Sequence, residues 1–179
     1  MNRIILLFST IVLLASCSPQ LSPFTQKLYE ENRWTEDELR KIQFYLSQDL
    51  VLKRQIKEGN SEIINGKIKM ENGRQIEEIV IRRGTPGVFV FSPKDSRFGI
   101  SFEDGGEKKY LMFGPNPKYG NRYLLLASDW DRRQGKVQYD SKFFYVDSDD
   151  AMAGLLVDLR RLQKTSVDTR TAKGRRVDE

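Results

Sequence analysis

The side chains best placed for chemistry cluster late in this chain. Asp129 and Asp131 flank Trp130, and Asp147, Asp149 and Asp150 crowd a second short stretch. Two carboxylates beside an aromatic platform are what glycoside hydrolysis uses, one acid to protonate the leaving oxygen and a second carboxylate as base or nucleophile. A glycan- or peptidoglycan-directed protein using Asp129, Asp131 and Trp130 is therefore one reading. Three carboxylates in a loop could instead gather oxygens around calcium. An EF-hand counted from Asp147 needs Gly at its sixth position, however, and has Met152 there. A solvated acidic turn is the expectation, and no metal site is assigned. The sequence contains no His and one Cys, Cys17. Those absences remove Ser-His and Cys-His nucleophilic pairs, most zinc sites and the usual general base near neutral pH. The expectation is a non-enzyme with no cofactor.

Aromatic rings outside the strand-like runs point to binding. Tyr119 and Trp130 lie in Gly- and Asp-containing segments, with Arg122, Arg132 and Arg133 close by. Flat amphipathic rings with neighbouring arginines are what protein interfaces use as anchors, and such rings also stack on sugars. Tyr119, Trp130, Arg132 and Arg133 are thus the candidate partner-binding residues. The competing role for these rings is to cover the ends of the fold.

The amino terminus carries a different kind of site. Arg3 opens a basic start, Ile4 to Leu14 is apolar apart from Ser9 and Thr10, and Leu14-Ala15-Ser16-Cys17 follows. This is the layout of a secretory signal, too short for a transmembrane helix. Ala15 and Ser16 directly before Cys17 resemble the lipobox of bacterial lipoproteins. The resemblance implies a signal peptide over 1–16, diacylglycerol on Cys17 and a further acyl chain on its amine. Two or three chains give durable anchoring where one is marginal. Ser18 stands where an inner-membrane retention signal of that class carries Asp, which implies the outer membrane. Residues 17–33 then read as anchor and tether, with Pro19 and Pro23 punctuating a polar stretch that has no acidic run. A periplasmic orientation follows.

Without the export segment the chain has 29 basic and 25 acidic residues, a net charge near +4. Charges alternate in sign, so blocks suited to nucleic acid are absent. A folded part of about 140 residues can bury its own core as one domain. That domain is expected over 34–163, with a polar tail over 164–179 whose basic residues could meet anionic headgroups or peptidoglycan.

One helix is well specified. Thr35-Glu36-Asp37-Glu38 has the residues of a capping box, with Trp34 and Leu39 placed to form a hydrophobic staple. Leu39, Ile42 and Leu46 continue at helical spacing and predict a helix over 35–48. A further turn or short helix is expected over Phe24 to Tyr29. From Leu50 onward, short apolar runs alternate with turn signals: Leu50–Ile56, Glu62–Met70, Gln75–Arg82, Val88–Phe91, Phe98–Phe102, Tyr110–Phe113, Tyr123–Leu126, Val137–Tyr139, Phe143–Val146 and Leu155–Leu162. Asn72-Gly73 is a hairpin signal, with Asn65-Gly66 competing, and Thr85-Pro86-Gly87-Val88 fits a type II turn. Leu155–Leu162 fits either period, and Gly154 tips it toward a closing strand.

Gly84-x-x-Gly87-Val88 followed by Gly99-Ile100-Ser101-Phe102 resembles the turn-and-strand rhythm of SH3-like small barrels, which implies a binding module. The expected fold is mostly β (α+β), a compact antiparallel β-barrel or sandwich with one N-terminal capping helix. The expected function is a membrane-anchored periplasmic lipoprotein acting as a binding or structural component of a cell-envelope assembly. Its expected partners are the membrane, through Cys17, and envelope proteins. A lipid or small-ligand carrier with an apolar cavity is the remaining alternative.

Overall fold

The computed structural model describes residues 20–56, 67–71, 73–94, 96–105 and 108–165. The segment expected to direct export, with Cys17, lies outside the described residues, as do Asn65-Gly66, Asn72 and the tail from 166.

Two antiparallel sheets pack as a sandwich. The first runs β1 (Leu21–Pro23), β13 (Leu155–Asp158), β2 (Gln43–Leu46), β6 (Pro86–Lys94), β7 (Arg97–Ser101), β8 (Leu111–Asn116) and β9 (Arg122–Leu125). The second runs β10 (Asp129–Asp131), β11 (Gln134–Tyr139), β12 (Lys142–Asp147), β3 (Leu50–Gln55), β5 (Arg74–Ile81) and β4 (Lys67–Glu71). Of the two expected architectures, the sandwich is the one formed. Both sheets feed one core: Phe44, Phe98, Ile100, Phe113 and Tyr123 from the first meet Leu50, Leu52, Ile79, Val137, Tyr139 and Phe144 from the second. The alternation that predicts strands also sorts their faces, as in β12, where Phe144 and Val146 are buried and Phe143 and Tyr145 point outward.

The ends of the seven-stranded sheet are drawn toward each other. The Tyr123 N–H donates to the Phe24 carbonyl at 3.0 Å, the Leu125 N–H to Ala153 at 2.9 Å, and Leu124 bridges Gly154. Phe24 fills the space between these ends. Its ring is wholly buried and lies 4.9 Å from Tyr123 and 5.3 Å from Phe44, both edge-on.

Several sequence expectations are corrected. The helix expected over 35–48 ends after one turn, α2 (Glu36–Leu39), although its capping box forms as read, with the Thr35 N–H donating to the Glu38 carboxylate at 2.8 Å. Leu39, Ile42 and Leu46 fit a helical stripe, but Phe44 and Leu46 also fit period two. β2 lies between β13 and β6, where ladders bond its backbone on both sides. The stretch expected as a tether becomes structure from Leu21: β1 pairs with β13 in the register Leu21↔Asp158, and α1 (Gln26–Asn32) follows, capped by Thr25. The domain therefore starts well before residue 34. Leu155–Leu162 divides, with β13 ending at Asp158 and α3 (Leu159–Thr165) succeeding it.

The turn expected at Thr85–Val88 sits three residues earlier. Thr85 N–H reaches the Arg82 carbonyl at 3.1 Å, with Gly84 at φ +78°, while Pro86 and Gly87 already belong to β6. The hairpin expected at Asn72-Gly73 joins β4 and β5 through the Glu71↔Arg74 pair, with Gly73 at φ +75°. The stretch likened to SH3-like barrels is the β6–β7–β8 meander, built into the larger sheet.

The interior has few polar groups. Glu77 is wholly buried and pairs with Arg54, whose guanidinium lies 5.6 Å from the Phe144 ring. Among the described residues the buried hydroxyls of Tyr123 and Tyr139 find no hydrogen-bond partner. Burial pushes the Tyr123 hydroxyl up to about 12, with Ser96 close enough only to soften the effect. Burial also raises Tyr139, helped by the negative charge of Glu103.

Candidate functional site

A cleft of about 430 Å³ opens where the two sheets adjoin, a size typical of small-ligand sites at about 300–1,000 Å³. One wall comes from β6 and β7, carrying Phe91, Pro93, Lys94 and Arg97. The floor is Tyr110, Met112 and the Leu126–Ser128 segment, and the other wall is Lys136, Val137 and Gln138 of β11 with Phe143 of β12. Leu126–Ser128 stitches the sheets together, since the Leu126 N–H donates to Met112 and the Ser128 N–H to Lys136, both at 2.8 Å.

Glycines give the cleft its shape. A Cβ at Gly99 would lie 2.7 Å from the Phe91 ring, and one at Gly114 would lie 2.8 Å from a Leu126 methyl. Both side chains occupy space that any other residue would claim. Phe91 is steadied further by Tyr110, edge-on at 4.8 Å. At the tip of the β6–β7 hairpin, where Lys94 faces Arg97 across the ladder, the Ser92 hydroxyl oxygen lies 2.8 Å from each of their carbonyl oxygens. Lys94 and Arg97 both line the cleft. From the opposite wall the Lys136 ammonium sits 4.1 Å from the centre of the Phe143 ring, close enough for a cation–π attraction.

The electrostatics are one-sided. Lys94, Arg97 and Lys136 line the cleft with no carboxylate among the lining residues. Among the described residues none of the three forms an ion pair, whereas other cations of the second sheet and its turns, such as Lys53, Lys69 and Arg133, do, with Asp147, Glu78 and Asp149. Phe143, at the cleft wall, and Tyr145, on the same face of β12, remain 51% and 43% exposed.

The residues singled out in the sequence fall elsewhere. Trp130 lies against Gly135, whose Cβ would stand 3.0 Å from the indole, and is 46% exposed. Its flanking Asp129 and Asp131 project to the other face of β10, because a strand alternates its side chains. The Asp129 carboxylate accepts from the Trp130 N–H at 2.8 Å. These three side chains therefore do not converge on one pocket. Arg132, at φ +53°, and Arg133 form the β10–β11 turn, and Arg133 pairs with Asp149 at 3.3 Å in a shallow groove also lined by Asp131 and Asp147. Tyr119 belongs to a 3-10 turn ahead of β9 and lines a separate depression with Pro23, Arg122 and Met152. Trp130, Arg132 and Arg133 thus share one hairpin, and Tyr119 stands apart from them.

The acidic stretch does not form a cage. Asp147 pairs with Lys53 at 3.8 Å and Asp149 with Arg133, while Asp150 is raised by burial and by the neighbouring Asp147 charge. No group of three or more acidic, His or Cys side chains among the described residues is arranged to hold a metal ion.

Sequence reasoning missed the cleft because its residues come from segments spread between Phe91 and Phe143. One signal was present: Phe143-Phe144-Tyr145-Val146 is apolar on both faces, where a half-buried strand should alternate with polar residues. No helix among the described residues is long and apolar enough to cross a membrane. No protein-family model, curated protein or solved structure matches the chain.

Proposed function

We propose that this chain is an exported lipoprotein, held by acyl chains on Cys17 at the outer membrane and facing the periplasm, and that it works by binding within the cell envelope rather than by catalysis. The observation that carries the binding reading is the cleft, an apolar floor under Lys94, Arg97 and Lys136 with no carboxylate in its lining. Three cations that form no ion pair among the described residues, beside exposed hydrocarbon surface, are a recognition surface for something both anionic and apolar. The lining offers no nucleophile paired with a base, which acyl or glycosyl transfer would require. The lipobox-like Leu14-Ala15-Ser16-Cys17 supports the anchored half of the reading. Anchoring and a cleft for amphiphilic matter suit each other, because both partners gather at a bilayer surface.

The anchored half is tested by fractionating cells that express the wild type or Cys17→Ala, with mass spectrometry of the mature amino terminus. Wild type is expected in membranes, beginning at a Cys17 that carries acyl mass. Cys17→Ala is expected as a soluble product or an uncleaved precursor. A mature protein with a bare thiol at Cys17 would overturn the anchor.

A further inference from the structure

We infer that the cleft between β6–β8 and β11–β12 takes an anionic amphiphile with a single acyl chain, a fatty acid or a lysophospholipid. The chain would lie along Met112, Leu126 and Val137, with the acidic head among Lys94, Arg97 and Lys136. This inference rests on the reading of the cleft as a binding surface and adds the ligand's chemistry.

Three observations select this ligand class. Hydrocarbon lines the bottom of the cleft and positive charge its rim, so a molecule with one apolar and one anionic end satisfies both at once. The head meets two kinds of donor, the Arg97 fork and the Lys94 and Lys136 point charges, which accommodate either a carboxylate or a phosphate. Along the floor the Leu126 and Ser128 N–H groups are already taken, by the Met112 and Lys136 carbonyls, so neither is open to the ladder a peptide strand would need. An acyl chain has no amides to satisfy and needs no such donors.

The test uses full-length protein in phosphatidylcholine nanodiscs, photolabelled with diazirine-bearing palmitate or with a neutral diazirine-bearing monoacylglycerol. Labelled sites are located by peptide mass spectrometry. The expected result is palmitate labelling on peptides holding Met112, Leu126 or Val137. Unlabelled palmitate and lysophosphatidylglycerol should both suppress it, and monopalmitoylglycerol should not. Suppression by only one of the two anions would identify the head group while keeping the class. In a Lys94→Gln, Arg97→Gln, Lys136→Gln variant, half-maximal labelling should need at least about tenfold more palmitate probe, the loss expected when charge-assisted hydrogen bonds are removed. The single variants, checked by circular dichroism, guard against a misfolded triple variant and should each show part of the loss.

Equal labelling of the cleft by the neutral and anionic probes would overturn the anionic ligand class and leave the binding reading standing. An absence of cleft labelling by either probe would overturn the binding reading as well. Displacement by an acidic apolar peptide but by neither lipid would assign the cleft to a protein partner and overturn the amphiphile.

Discussion

Phe91 lies across Gly99 so closely that a Cβ on that glycine would come within 2.7 Å of the ring. The two are ladder partners on β6 and β7, and the contact sets the height of one cleft wall. Gly99→Ala therefore has to move Phe91 or the strand beneath it. The expected cost is about 1–3 kcal/mol, the usual range for overpacking, read from the midpoint of urea unfolding. A midpoint equal to wild type would show that the ring swings away freely.

Phe24 is the side chain that ties the first described segment, from Leu21, into the sandwich. It is wholly buried against Tyr123, Phe44 and Phe98, and its backbone bonds to both Leu155 and Tyr123. Phe24→Ala should cost about 3–5 kcal/mol through lost burial and the cavity left behind. Thermal unfolding should shift downward accordingly. If the chain before α1 were only a spacer, the variant would unfold like wild type.

Tyr123 predicts an alkaline limb in the stability profile. Its hydroxyl ionises in the folded state only at about 12, against 10.0 unperturbed, because burial disfavours the phenolate. The folded state thus holds this proton more tightly than the unfolded chain. The stabilisation is complete below pH 10 and drains away as pH climbs toward 12. Tyr123→Phe should lose less stability across that window in a series of urea titrations. At pH 7 it should fall within about 1 kcal/mol of wild type, since the hydroxyl it removes approaches Ser96 without meeting the geometry of a full hydrogen bond. A loss beyond about 2 kcal/mol at pH 7 would mean that the hydroxyl is satisfied after all.

The strand rhythm was legible because alternation is written residue by residue. Phe144 and Val146, or Leu50 and Leu52, declare their face without any knowledge of the partner strand. The capping box at Thr35 was legible for the same local reason. The length of the helix was not. Leu39, Ile42 and Leu46 satisfy the helical period while Phe44 and Leu46 satisfy the strand period, and the decision belongs to the ladders offered by β13 and β6. Nor could the segment around Leu21–Phe24 be read as core, since the strands its backbone bonds to lie more than ninety positions downstream.

The candidate site was the least legible part. Lys94, Arg97 and Lys136 are unremarkable along the chain, and only folding brings them over one apolar floor. Trp130 and its flanking acids drew attention because they are adjacent in sequence, yet a strand sends neighbours to opposite faces.

β1 opens at Leu21, only four positions after Cys17. With acyl chains on that sulfur and amine, the leash could stretch no further than roughly 14 Å, even pulled straight. The globule would hug the leaflet and have no reach toward distant wall polymers. Its ligands would be collected from the headgroup layer or delivered there, and the molecule would behave as a fixture of the surface, sampling what drifts past in two dimensions.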